Sequence, residues 1–329
     1  MVVWPHAGTD WADDLAAVEN VYLELARAIT PRERLLVVCR DGPHQVHVSR
    51  QLKAADISQR QIRYALAPSN DTWARDLGPI TVLENGEPRL VDFRFNGWGG
   101  KHPHDLDDAI VRTLHAADHF GDVPLESVDL VLEGGAIDTD GLGTLLTTLG
   151  CLLDPRRNPG IDQAGMTARL QSLLGIERIH WLTHGWLDGD DTDGHVDMLA
   201  RFCDPGTIAV TVCDDPNDRH YRELAALRDE VAALRDVHDQ PYRVLELPIP
   251  APVHDPAGRR LPASYANFLI INEAVLVPLY ADANDALAMT ILSGAFPDRE
   301  IIGIDCRPLI RQNGSLHCIT MQLPEGTLP

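Results

Sequence analysis

The chain has 329 residues, enough for one large domain or two, and 44% of them are hydrophobic. Its formal net charge of −21 would repel nucleic acid and anionic membrane surfaces, so neither is expected as a partner. The amino-terminal residues lack the basic and apolar segments of a signal peptide, and no apolar run is long enough to cross a membrane. We therefore expect a cytoplasmic protein, with a homo-oligomer left open.

Helical and strand patterns alternate along the chain. Helical spacing of apolar residues predicts five helices, the first with Asp10 as its N-cap: Trp11–Ile29, His104–Ala117, Asp162–Leu174, Asp218–Asp236 and Asp282–Phe296. Runs rich in Val, Ile, Leu or Thr predict the strands: Arg34–Cys39, Ile80–Leu83, Arg89–Phe93, Leu130–Leu132, Gly143–Thr148, Ile179–Leu182, Met198–Phe202, Thr207–Val212, Arg243–Leu247, Phe268–Leu279 and Glu300–Asp305.

The predicted strands come in pairs, and a polar residue opens each pair. These residues are Asp76, Glu133, His195 and Asn267, while Cys318 is predicted to open a final strand. They follow one another at intervals of 57, 62, 72 and 51 residues. A period of about 60 residues is typical of a propeller or repeat array, in which each unit would direct one polar residue to a common axis. A generic α/β sandwich is the alternative.

The six cysteines are widely separated, and none forms a Cys-x-x-Cys pair. This spacing favours neither a disulfide framework nor a thiolate zinc site, so the thiols are expected to be reduced. Five of them lie in apolar or strand-like runs and are predicted to belong to the core: Cys39, Cys151, Cys203, Cys213 and Cys306. Cys318 differs because it follows a glycine-containing loop and stands beside His317.

Acid-rich motifs and the cysteine segment occur in a fixed order along the chain. They are Trp73–Pro79, Phe95–Lys101, Glu133–Thr144, Asp191–Asp197 and His317–Thr320, with Asn158-Pro159 and Ser264–Phe268 as lesser matches. Together they resemble the agmatine deiminase family, which is related to the bacterial peptidylarginine deiminases, from about residue 5 to the end. The resemblance implies one catalytic domain over residues 1–329. It also implies a five-bladed, pentein-like α/β propeller of ββαβ modules that uses no metal or organic cofactor.

The resemblance assigns catalytic roles to five residues. Cys318 would be the nucleophile, which must be deprotonated to attack, and His195 the general acid and base. Asp76 and Asp197 would hold the guanidinium, whose fork matches a carboxylate in bidentate fashion. Glu133 would bond the guanidinium or orient His195. These residue types suit attack on a cationic carbon.

A second set of residues is predicted to bind substrate. Trp73 is expected either to stack on the cation or to belong to the core. Asp191 and Asp193 are expected to meet a second positive charge, and Asn267 matches the residue that supports the histidine in the peptidylarginine branch. His317 is expected to be structural, because its neighbour in an extended segment points the opposite way.

The acidic stretch Asp188–Asp193, like Asp138–Gly141, has some features of a calcium loop. However, the twelfth position counted from Asp188 is Leu199 rather than Glu, and the sixth is not Gly. No metal is therefore expected.

The resemblance implies hydrolysis of agmatine to N-carbamoylputrescine and ammonia through a covalent cysteine thiouronium, as in putrescine biosynthesis. One alternative is a deiminase of peptidyl or free arginine, for which Arg94 and Lys101 are candidate carboxylate ligands. Another is a non-catalytic guanidine- or polyamine-binding protein. The sequence departs from the agmatine pattern at Asn313–Ser315 and at Met321, which flank the nucleophile.

Overall fold

Five three-stranded sheets form the framework of the chain, in a computed structural model that describes residues 1–329. The chain makes two compact units. The first contains Met1–Gly134, Ile270–Glu273 and His317–Pro329, and the second contains Gly135–Leu269 and Ala274–Leu316. None of the helices combines the length and the hydropathy needed to span a membrane.

The first sheet is parallel and belongs to the first unit. Its elements are β1 (Val2–Val3), α1 (Leu15–Ile29), β2 (Leu35–Cys39), α2 (Gly42–Ala54) and β3 (Ile62–Leu66). The central strand β2 is buried at every position, which explains its continuous apolar sequence. On α1, Val18, Tyr22 and Leu25 lie at helical spacing and are buried, so one face of this helix packs into the core.

The second sheet of this unit has the mixed order of a ββαβ module. Its elements are α3 (Ala74–Leu77), β4 (Ile80–Glu84), β5 (Glu87–Arg94), the short turn α4 (Gly97–Gly100), α5 (Ile110–Ala116) and β6 (Leu125–Val131). Strands β4 and β5 are antiparallel, and β6 returns parallel to β5. A helix between two parallel strands is the usual crossover connection.

Three further sheets repeat this arrangement. The first has β7 (Ile137–Thr139), β8 (Thr144–Thr148), α6 (Leu149–Leu152), α7 (Gln163–Leu174) and β9 (Arg178–Leu182). The next has β10 (Ala200–Asp204), β11 (Thr207–Val212), α8 (Tyr221–Ala233) and β12 (Arg243–Pro248). The last has β13 (Leu269–Ile271), β14 (Ala274–Leu279), α9 (Asp285–Ala295) and β15 (Glu300–Asp305). The predicted α/β fold class is confirmed, with five small sheets. Four of them follow the ββαβ order, whereas the first sheet has three parallel strands with helices between them.

A short helical segment lies just before the first strand of four sheets, and each segment adjoins a predicted site residue. Asp76 lies in α3, Glu133 precedes Gly134–Ala136, His195 precedes Val196–Met198, and Asn267 ends Tyr265–Asn267. The roughly 60-residue period therefore corresponds to one such segment per sheet. The prediction that Cys318 opens a strand is wrong, because residues 317–320 form a turn. Beyond that turn, Met321 exchanges two main-chain hydrogen bonds with Met1, at 2.7 and 2.9 Å.

Several element boundaries differ from the sequence prediction. Helix α1 begins at Leu15 and its N-cap is Asp14 rather than Asp10, because residues 9–14 form successive turns. The Trp11 indole there donates to Asp71 and Thr72 rather than lying in the helix.

Helix α5 begins at Ile110 instead of His104. The run Phe268–Leu279 is two strands, β13 and β14, separated by a turn at Asn272-Glu273. Strands β1 and β3 and helix α2 were not predicted.

Asp107 gives a test of how burial affects stability. Its carboxylate is 1% exposed and accepts the main-chain N–H groups of Asn70 and Asp71. Burial, together with the nearby Asp71 carboxylate, raises the pKa of Asp107 to about 7. Between pH 4 and 7 the folded chain therefore binds a proton that the unfolded chain has released, so this group lowers the free energy of unfolding as the pH rises.

Asp107→Asn should remove this contribution, which amounts at most to about 4 kcal/mol across that range. Urea unfolding at a series of pH values would measure it. Relative to the wild type, the variant should gain stability steadily from pH 4 to pH 7. Asp13→Asn provides a control, since it makes the same substitution at an exposed position. A constant difference between Asp107→Asn and the wild type at all pH values would contradict the prediction.

Candidate active site

The predicted nucleophile lies in a buried turn of the first unit. Cys318 is 7% exposed, and the turn is closed by the Thr320 N–H, which donates to the His317 carbonyl at 3.0 Å. The Thr320 hydroxyl donates to the same carbonyl. The premise that His317 lies in an extended segment is therefore wrong, although its structural role stays a prediction.

Arg75 joins the cysteine turn to the segment that carries Asp76. Its main-chain N–H donates to the Cys318 carbonyl at 3.0 Å. Its guanidinium is buried and donates to the Met321 sulfur at 3.6 Å and to the Gln322 side chain. Both the main chain and the side chain of Arg75 thus fix the position of the residues around the thiol.

Gly134 brings a third segment against Arg75. A Cβ atom at this position would lie 2.2 Å from the Arg75 carbonyl oxygen, well inside van der Waals contact, so only glycine allows this approach. The preceding residue is Glu133, whose side chain is fully buried, and Asp76 is 5% exposed. The first unit therefore brings the segments of Cys318, Glu133 and Asp76 together around one residue.

Trp73 lies two residues before Arg75 and is buried. Its indole N–H donates to Asp71 at 3.1 Å, and its ring packs against Trp11 with centroids 5.7 Å apart. Burial raises the pKa of Asp71 to about 6. These contacts favour a packing role for Trp73, and its stacking on substrate stays a prediction.

In the second unit, Asp190 shapes the loop that presents His195. Its carboxylate accepts the main-chain N–H groups of Thr192 and Gly194 at 2.9 and 2.8 Å, and also the Thr192 hydroxyl at 2.6 Å. That hydroxyl oxygen accepts the His195 main-chain N–H at 3.1 Å. The Thr148 hydroxyl, at the end of β8, donates to the Gly194 carbonyl. The backbone on both sides of His195 is thereby held in place.

The two acidic residues predicted to bind substrate have different surroundings. Both oxygens of Asp193 accept from arginines, Oδ1 from Arg156 and Oδ2 from Arg157, each at 2.8 Å. Asp191 accepts from the Asn313 amide at 3.2 Å. Asp193 therefore has two cationic partners in the protein. The binding of a second positive charge on the substrate by Asp191 and Asp193 stays a prediction.

Asp197 and Asn267 are both fully buried in the second unit. The Asn267 amide donates to the Asp197 carbonyl at 3.3 Å. The hydroxyl of Ser264 donates to the Met198 carbonyl at 2.7 Å. Ser264 and Asn267 therefore anchor the short helix that follows His195. The predicted support of His195 by Asn267 stays a prediction.

The remaining five cysteines are buried, in agreement with the prediction that they belong to the core. Burial raises the pKa of both Cys39 and Cys203 to about 12. These two thiols stay protonated at neutral pH and are unsuited to nucleophilic attack.

In the acidic loop from Asp188 to Asp193, carboxylates accept hydrogen bonds from other groups of the protein or pair with arginines. Asp188 pairs with Arg219 at 3.0 Å, while Asp190 accepts main-chain N–H groups and Asp193 accepts from arginines, as described above. This bonding pattern is that of a loop stabilised by its own hydrogen bonds and ion pairs.

The model of the family described as Porphyromonas-type peptidyl-arginine deiminase matches residues 1–324. The chain belongs to this family. Agmatine deiminase of Stutzerimonas stutzeri is 34% identical to it over 98% of this chain and 92% of the relative.

Solved structures of similar proteins share the fold. A substrate-bound cysteine-to-serine variant of C. jejuni agmatine deiminase is 37% identical, with a TM-score of 0.89 over 97% of this chain and 91% of that one. A Porphyromonas gingivalis protein with the provisional name arginine deiminase is 48% identical, with a TM-score of 0.91 over 100% of this chain and 96% of that one. These likenesses confirm both the family resemblance and the α/β fold class.

The contact at Gly134 yields a prediction. In Gly134→Ala the added methyl group must displace the Arg75 main chain, which typically costs about 1–3 kcal/mol and would shift the Cys318 turn bonded to it. We expect a lower Tm together with a large loss of kcat, measured by thermal unfolding and by ammonia release.

Gly294 in α9 is the matched control, because an added Cβ there has open space. Gly294→Ala should raise stability by about 0.5–1 kcal/mol through helix propensity and leave kcat unchanged. Wild-type stability and activity in Gly134→Ala would contradict the assigned close approach.

Proposed function

We propose that the protein is an agmatine deiminase, a hydrolase that converts agmatine to N-carbamoylputrescine and ammonia. The observation that carries the proposal is the junction at Arg75, where one turn with a buried cysteine meets two segments with buried carboxylates. Full-length similarity to agmatine deiminases supports the same reaction. The substrate would be a small guanidinium cation, which suits an acidic protein.

The chemistry follows from the residue types. The guanidinium is held by Asp76 and Asp197, and the Cys318 thiolate attacks its central carbon. The carbon–nitrogen bond breaks, and ammonia leaves with a proton from His195. An S-alkylthiouronium remains on Cys318. His195 then takes a proton from water, whose attack releases the ureido product and restores the thiol. Glu133 bonds the guanidinium or orients His195.

The cysteine is the decisive test of the mechanism. Cys318→Ala should abolish ureido-product formation from agmatine and retain agmatine binding, as measured by colorimetric product detection and by calorimetry. Cys306→Ala offers a matched control, because this thiol is also fully buried and lies before the same terminal loop. Turnover that survives in Cys318→Ala would overturn the proposed mechanism. Wild-type protein that binds agmatine without turnover would instead favour a guanidine-binding protein.

A deiminase of arginine is the second candidate, and the 48% identical relative with the provisional name arginine deiminase favours it. Of the two proposed carboxylate ligands, Arg94 is already paired with Asp129 at 3.3 Å and Asp108 at 3.7 Å, and Lys101 is exposed. Agmatine, free arginine and a peptidyl arginine should be compared side by side. Preferential turnover of either arginine substrate would keep the mechanism and replace the substrate.

Asp191 and Asp193 give a prediction about the far end of the substrate. Asp191→Asn should raise the KM for agmatine several-fold, on the order of tenfold at most, and leave the KM for butylguanidine unchanged, because butylguanidine lacks the terminal amine. Asp193→Asn should instead lower the Tm and affect both substrates equally, since it removes the partner of Arg156 and Arg157. Equal effects of the two substitutions on both substrates would contradict the assignment of Asp191.

Other expectations accompany this proposal. We propose a single catalytic domain over residues 1–329, a cytoplasmic location and a place in putrescine and polyamine metabolism. A homo-oligomer is compatible with it. No metal or organic cofactor is required by the proposed chemistry.

A further inference from the structure

The motif Phe95–Lys101 has no role in the mechanism above, yet it contains an unusual backbone. Gly97, Trp98, Gly99 and Gly100 all have positive φ, at 67, 55, 81 and 80°. Main-chain hydrogen bonds from Gly100 to Asn96 and from Lys101 to Gly97 close one left-handed turn. Such a turn costs a residue with a Cβ atom about 1–2 kcal/mol, and Trp98 is the one such residue among the four.

The turn brings the Trp98 indole to a catalytic carboxylate. Its N–H donates to Asp76 Oδ2 at 3.0 Å, and both side chains are buried, at 6% and 5% exposure. Asp76 itself lies in α3, on a different segment of the first unit. A buried hydrogen bond to an ionised carboxylate is stronger than one between neutral groups. It also favours the charged form that a guanidinium requires.

The surroundings fix the ring as well as the backbone. Phe95 and His102 each meet the Trp98 ring edge to face, with centroids 5.0 and 5.4 Å away. The Asn96 side chain accepts the Gly99 N–H at 2.8 Å. A Cβ atom on Gly97 would lie 2.3 Å from the His102 carbonyl oxygen. These contacts hold the indole ring in place with its N–H directed at Asp76.

We propose that Trp98 is a positioning residue that orients the Asp76 carboxylate for the substrate guanidinium and keeps it ionised. An indole N–H suits this task because it donates one hydrogen bond, accepts none and carries no charge that would compete with the substrate. The left-handed turn holds the donor against Asp76. This role rests on the proposed function, in which Asp76 binds the guanidinium of the substrate.

Trp98→Phe keeps the ring and removes the donor. With agmatine it should lower kcat/KM by roughly ten- to a hundredfold, mostly through a higher KM, because the carboxylate loses its fixed orientation. Trp4→Phe is the matched control, since the Trp4 indole is also buried in the first unit and donates to the buried Glu19 carboxylate at 3.2 Å. That variant should keep kcat/KM within about twofold of the wild type, whatever its Tm.

A second measurement separates this role from the activity itself. In carbon-13 NMR titrations of the carboxyl groups, the pKa of Asp76 should rise in Trp98→Phe and stay unchanged in Trp4→Phe. If Trp98→Phe does not fold, Asp76→Asn in protein labelled with nitrogen-15 tryptophan should shift the Trp98 indole resonance.

An Asp76 pKa that is the same in Trp98→Phe and the wild type would overturn the inference, as would an unmoved indole resonance. Equal loss of kcat/KM in Trp98→Phe and Trp4→Phe would also overturn it. If the wild type fails to turn over agmatine, the proposed function is wrong. The NMR titrations then still decide whether the hydrogen bond from Trp98 lowers the pKa of Asp76.

Discussion

The first unit depends on Arg75, which is attached to the cysteine turn and the residues after it through both its main chain and its side chain. Its amide holds the cysteine turn, its carbonyl excludes any side chain at Gly134, and its guanidinium is buried against Met321 and Gln322. A buried cation must keep its partners, so substitutions around it are costly. Arg75 therefore joins the segment of Cys318, the proposed nucleophile, to two segments with acidic residues. No chemical step is proposed for Arg75 itself.

The second unit also contains a buried cation, since Arg157 is 3% exposed and donates to Asp193. The loop before His195 contains several carboxylates, which would repel one another in the absence of partners. Asp190 accepts from the backbone and Asp193 accepts from two arginines, so each charge is matched where it stands. The aspartates of this stretch therefore fix the shape of the loop before His195.

Sequence patterns predicted the strands and the site segments well, because strand runs are apolar and the motifs are long. Helix α2 was missed because only Val48 and Leu52 are buried in it, so its apolar periodicity is weak. Its start was detectable, since Asp41 caps the His44 N–H and Pro43 stands in the first turn. The roles of Arg75 and Trp98 were not detectable, since each depends on contacts between separate segments. Asp190 bonds within its own loop, where an aspartate that accepts N–H groups two and four residues on is a local turn pattern.

The attachment of the cysteine turn also has a consequence for the order of folding. Its contacts reach back to Arg75 and, through Met321, to Met1, a sequence separation of 320 residues. Contacts of such long range close late, because the entropy of the intervening chain must be lost first. We therefore expect Cys318, the proposed nucleophile, to reach its native surroundings only when almost the whole chain has been ordered. In partly folded chains, Cys318 would lack these contacts. Catalytic activity would then arise only in the last step of folding.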